Sequence, residues 1–106
     1  MGVLLKKSDL KWIPKSSFHF KFVDDILKLN KSEQWILEEA KVISKLNLYT
    51  FDLRTKSRKE VFDFLEVIKS VITLNKDVES TIDNKVYLEL LDELYKSVER
   101  QIKSID

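Results

Sequence analysis

Apolar side chains recur every three to four positions through most of this chain, the pattern of amphipathic helices rather than of strands. Phe18, Phe22, Ile26 and Leu29 share one helical face, Val23 and Leu27 lie beside it, and Ser17 is placed as an N-cap, so a first helix is predicted over 18–29. The same segment has a competing strand reading, because Phe18, Phe20 and Phe22 alternate with His19 and Lys21. The helical reading covers the longer stretch and is preferred. Ile36, Ala40 and Ile43, flanked by Trp35, Val42 and Leu46, define a second helix over 33–46, capped by Asn30 or Ser32 and stopped by Asn47. The third helix, 58–74, is the plainest. Ser57-Arg58-Lys59-Glu60 has the Ser-x-x-Glu spacing of a capping box, and Val61, Phe64, Leu65, Ile68, Val71 and Ile72 follow on one face. Phe62, Val67 and Leu74 widen that stripe, which predicts contact on more than one side, and Asn75 is the expected stop. A fourth helix over 84–104 carries Tyr87, Leu91, Leu94, Val98 and Ile102 on its face and spans roughly 30 Å.

Between these helices the period changes. Tyr49, Phe51 and Leu53 alternate with Thr50, Asp52 and Arg54, so 48–55 reads as a packed extended connection or a short strand. Pairing of 49–53 with 18–22 in a short hairpin is the α+β alternative. Asp77 is placed to start one helical turn over 76–82. Residues 1–17 read as an arm, with one helical turn from Ser8-Asp9 to Trp12 ended by Pro14, and with Trp12 and Ile13 folded back on the core. The chain has one Gly and one Pro, both near its start, whereas all-β folds need such breakers at frequent turns. The expected fold is therefore all-α: a single domain, 1–106, built as an up-down bundle of about four helices with an N-terminal arm.

Composition narrows the function classes. No Cys is present, which excludes thiol catalysis and thiolate metal sites, and one His excludes a multi-histidine zinc site. Apolar runs are only a few residues long, far below the ~20 that a membrane-spanning helix needs. Val3, Leu4 and Leu5 form no signal-peptide core, so a cytoplasmic protein is expected. Lys outnumbers Arg 16 to 3, a bias that suits an AT-rich genome such as that of a bacterium or phage.

Candidate chemistry is sparse. His19 has no Ser-His-Asp or His-Glu-x-x-His spacing around it and is expected at the surface or the core boundary. The paired acids Asp24-Asp25, Glu38-Glu39 and Asp92-Glu93 lack the Glu-x-x-His motif of carboxylate-bridged metal sites and read as solvated faces. No Gly-rich phosphate loop exists, and neither cofactor nor metal is expected. The stretch from Arg54 to Lys59 is the oddest feature. Four cations, Arg54, Lys56, Arg58 and Lys59, crowd a predicted helix N-terminus, where the dipole disfavours them and free N–H groups suit an anion. Pairing with Glu60, Asp63 or the acidic fourth helix is the competing explanation. Net charge is only +1, so nucleic acid is disfavoured as a partner, and a nucleic-acid or phosphate-ligand binder using 54–59 is the second choice. The first choice is a non-enzymatic protein-interaction module, an inhibitor, immunity-type or adaptor protein. Its expected contact residues are Glu89, Asp92, Glu93 and Glu99 on the fourth helix, with Trp35 as an exposed aromatic anchor. The apolar stripe of helix 84–104 also allows a homodimer seam.

Overall fold

The computed structural model describes residues 2–4, 11–12, 16–29, 33–46, 50–76 and 81–104. Its elements are β1 (Gly2–Leu4), β2 (Lys11–Trp12), α1 (Ser16–Leu29), α2 (Gln34–Leu46), β3 (Thr50–Asp52), α3 (Arg58–Lys76) and α4 (Ile82–Ser104). The four helices match the sequence expectation within about two residues at each end and pack into a helical bundle. α3 packs most extensively on α4, α1 packs on α2, and α1 also meets α3. One core cluster runs through all of them, with Phe22, Ile26, Ile36, Ala40, Phe64, Ile68, Tyr87, Leu91 and Leu94 fully enclosed. No helix among the described residues is long and apolar enough to cross a membrane.

The chain from 18 to 22 is helical, so the hairpin alternative does not form. Residues 50–52 are nonetheless a strand, and their partner is the N-terminal arm. β1 lies at the centre of a small sheet, antiparallel to β2 (Val3 opposite Trp12) and parallel to β3 (Val3 opposite Phe51). Lys11–Trp12 are thus extended rather than part of a helical turn, while 8–10 and Pro14 lie outside the described residues. The turn expected after Asp77 falls outside them too.

The period-two reading of 49–53 explains what β3 contributes. Phe51 and Leu53 point inward and are fully buried, whereas Asp52 and Arg54 point out. Phe51 closes an aromatic cluster that joins four elements. Its ring lies 5.2 Å from that of Phe64 on α3 and 6.0 Å from that of Phe22 on α1, and Trp35 of α2 stacks on Phe64 at 6.3 Å. Such aromatic pairs each add about 0.5–1.5 kcal/mol beyond burial. At the other end of this segment Gln101 of α4 donates its Nε2 to the Leu53 carbonyl at 2.9 Å, fixing the end of α4 to the exit of β3.

α3 begins as its sequence dictates. Ser57 Oγ accepts the Glu60 N–H at 3.2 Å, and Glu60 Oε1 accepts the Ser57 N–H at 3.0 Å, so both halves of the capping box are made, a gain of about 1 kcal/mol. The helix is less widely buried than its stripe suggested. Val67 is buried, but Phe62 is 49% and Leu74 38% exposed, because α1 and α4 cover only one side of it. Val42, expected beside the α2 stripe, is likewise exposed. Asn75 does not end α3: the helix continues to Lys76 and Asn75 is buried inside it.

Candidate functional site

Two kinds of polar site emerge, one inside the bundle and one on its surface. The inner one was not foreseen. Asp25, expected on a solvated face, is only 3% exposed. Its Oδ2 accepts the Tyr87 hydroxyl at 2.9 Å and the Asn75 side-chain amide at 3.0 Å. Asn75 also donates to the Val71 carbonyl, and its own backbone carbonyl accepts from the Asn84 side chain at 3.1 Å. Lys21, one turn before Asp25, places its Nζ 3.7 Å from the same Oδ2 and 5.1 Å from the centre of the Tyr87 ring, on which Phe18 stacks. The cluster joins α1, α3 and α4. The spacing gave a usable signal: Asp25 falls three residues after Phe22 and four before Leu29, within the apolar face of α1.

Chemically this cluster is closed. Burial, and then the Asp25 carboxylate, push the Tyr87 hydroxyl far above its ordinary range, so it remains a donor and never a base. Asp25 Oδ2 already receives two donors and a nearby ammonium. The remaining core polar group, His19, also departs from expectation: it is completely buried, and neither ring nitrogen has a hydrogen-bond partner. It lies three and four residues before Phe22 and Val23, on the buried face of α1. Burial lowers its pKa to about 4, so the ring is neutral at pH 7. No group of three or more His, Asp or Glu side chains among the described residues is arranged to hold a metal ion.

On the surface, the structure brings the basic stretch together with carboxylates. Arg54 makes a bidentate pair with Asp52, Nε to Oδ1 at 3.0 Å and Nη2 to Oδ2 at 2.9 Å, and the Arg54 backbone N–H donates to Oδ1 as well. That guanidinium holds the Asp52 carboxyl below its usual range. Lys56 reaches Glu39 at 3.4 Å and lies 4.6 Å above the Trp35 ring. Lys59 approaches Asp63 at 4.0 Å, at the limit of an ion pair. Arg58 is exposed and has no ion pair among the described residues. The Glu60 carboxylate itself occupies the start of α3, where hydrogen bonds from Ser57 lower its pKa. Three of the four cations are thus paired within the chain. Trp35, expected as an exposed anchor, is half-buried between Phe64 and Lys56, and its indole Nε1 is enclosed without a partner.

The acidic residues of α4 behave differently. Glu89, Asp92 and Glu93 are exposed and Glu99 is half-buried. Asp92 pairs with Lys96 at 3.0 Å, whereas no ion pair among the described residues involves Glu89 or Glu93. These two share one side of the helix, opposite the buried Tyr87, Leu91 and Leu94. Comparison of the chain with family models, curated proteins and solved structures gives no significant match.

Proposed function

We propose that this chain is a non-enzymatic protein-interaction module, of the inhibitor, immunity or adaptor kind, that uses the outer face of α4 to bind a basic surface on another protein. The observation that carries this reading is the pair of exposed carboxylates Glu89 and Glu93, one helical turn apart, next to Asp92 and in no ion pair among the described residues. Glu99 borders the same face. A fixed cluster of like charge raises the encounter rate with an oppositely charged partner and makes association salt-sensitive. The Asp25 cluster is consistent with the reading, because its hydrogen bonds join α1, α3 and α4.

The test is co-purification on the tagged chain from the source cell at low salt. The expected result is a basic protein retained by the wild type, released by raised salt, and lost with the double substitution Glu89→Lys/Glu93→Lys. Retention of the same protein by that variant overturns the proposal. Anion binding by the 54–59 stretch ranks second, because among the described residues only the Arg58 cation there lacks a carboxylate partner. A mobility-shift signal with DNA or RNA at low salt, lost on Arg58→Glu, would promote it.

A further inference from the structure

The outer line of α4 is zoned in a way that acidity alone does not explain. Residues 82, 86, 89, 93, 96 and 100 are all exposed and are spaced alternately four and three apart, the spacing of a seam between two packed helices. In order they are Ile82 and Val86, then Glu89 and Glu93, then Lys96 and Arg100. Ile82 is 81% and Val86 39% exposed, so the apolar end of the line is uncovered. The acidic pair has no cation among the described residues. Lys96 already holds Asp92, and Arg100 donates its Nε to the Lys96 backbone carbonyl at 3.3 Å without meeting a carboxylate.

We propose that this line seats a single helix of the partner protein, one whose facing residues run apolar, basic and acidic in matching register. The proposal rests on the interaction reading above and adds the chemistry of the partner. The line is about 27 Å long at 1.5 Å per residue, five turns, so the occupant is a helix of comparable length. Charge complementarity chooses it. Glu89 and Glu93 select Lys or Arg, while Lys96 and Arg100 repel those residues one to two turns further on and select Asp or Glu. Ile82 and Val86 supply the apolar contact that an exposed charge pair lacks, since surface ion pairs alone contribute little. A purely basic chain would satisfy the middle zone and clash with the last one, so the zoning fixes register as well as sign.

The experiment uses two synthetic helical peptides of about 24 residues. One carries a four-three seam of Leu, Leu, Lys, Lys, Glu, Glu; its twin carries Leu, Leu, Glu, Glu, Lys, Lys. Each is made in both chain directions and titrated against the full chain by fluorescence anisotropy at low salt. The expected result is that a matched peptide binds at least ~10-fold more tightly than its twin. The combined swap of Glu89→Lys, Glu93→Lys, Lys96→Glu and Arg100→Glu should invert that preference, and Ile82→Ser/Val86→Ser should weaken both peptides. All these positions are exposed, and circular dichroism checks that the variants stay helical. Equal binding of the twins, no binding of either, or sedimentation showing a second copy of the chain on this line overturns the proposal. Those results leave the interaction reading standing if Glu89→Lys/Glu93→Lys still releases the co-purified protein, and that reading falls separately if it does not.

Discussion

Asp25 and the Glu89–Glu93 pair are carboxylates on amphipathic helices, and their surroundings are opposite. Asp25 lies between α1, α3 and α4, and receives Tyr87 and Asn75 on one oxygen. Glu89 and Glu93 stand on the outside of α4 with no ion pair among the described residues. Residue type does not separate them; phase along the helix does. Asp25 takes a place in the apolar face between Phe22 and Leu29, while the two glutamates lie across the helix from Tyr87 and Leu91. A charge in phase with the core must be matched by partners from other helices and becomes a fastener. A charge out of phase contributes little to the fold and is free to meet another molecule.

The comparison breaks first, if it breaks, at Asp25. Asp25→Ala should cost about 3–4 kcal/mol, because the Tyr87 hydroxyl and the Asn75 amide are left buried without their acceptor. Tyr87→Phe removes one donor and leaves the carboxylate with Asn75 and Lys21, so it should cost less, about 1–2 kcal/mol. Urea denaturation at pH 7 measures both. A loss below about 0.5 kcal/mol for Asp25→Ala, the level of an ordinary surface change, would make Asp25 no different from Glu89.

This contrast also marks how far the sequence was legible. Periodicity and the Ser57–Glu60 capping box located the four helices, because those signals are local and each is confirmed within one element. The strand at 50–52 was legible from the alternation of Phe51 and Leu53, but its pairing with Gly2–Leu4 was not, since strand partners far apart leave no spacing to read. The same limit hid the Asp25 cluster, whose hydrogen bonds span 50 and 62 residues of chain. The pairing at 54–59 was legible only in part, for a related reason. Arg54 is neutralised from two residues away, but Lys56 is held by Glu39, which lies on another helix. The exposure of Glu89, Asp92 and Glu93 was readable because all three lie on one helix, while Glu99, expected with them, is half-buried.

His19 sharpens the comparison from the other direction, as a buried group whose ring nitrogens make no hydrogen bond. Its folded pKa is about 4, against 6.5 for the free side chain. Between those values the unfolded chain binds the extra proton, so stability rises with pH and reaches its full value above about 6.5. As pH falls from 6.5 to 4 the His19 contribution should disappear, a loss of about 2–3 kcal/mol. Urea midpoints across that range measure it, and His19→Leu, which has no proton to gain, should flatten that part of the slope. An unchanged slope in the variant removes His19 from the account.

The smallest expected effect tests the outer half of the comparison. Glu89→Gln/Glu93→Gln keeps shape and helix propensity while deleting two charges, neither in an ion pair among the described residues. Because exposed charges outside ion pairs contribute within about 0.5 kcal/mol, the urea midpoint should hardly move. The same substitution should slow association with a basic partner and flatten its salt dependence, since it removes field rather than structure. Neutral glutamines separate these two roles better than lysines do: a lysine adds repulsion, and its effect on binding mixes lost attraction with a new obstacle. A marked drop in stability would show that Glu89 and Glu93 work inside the fold as Asp25 does, and the distinction drawn from helical phase would fail at its simplest case.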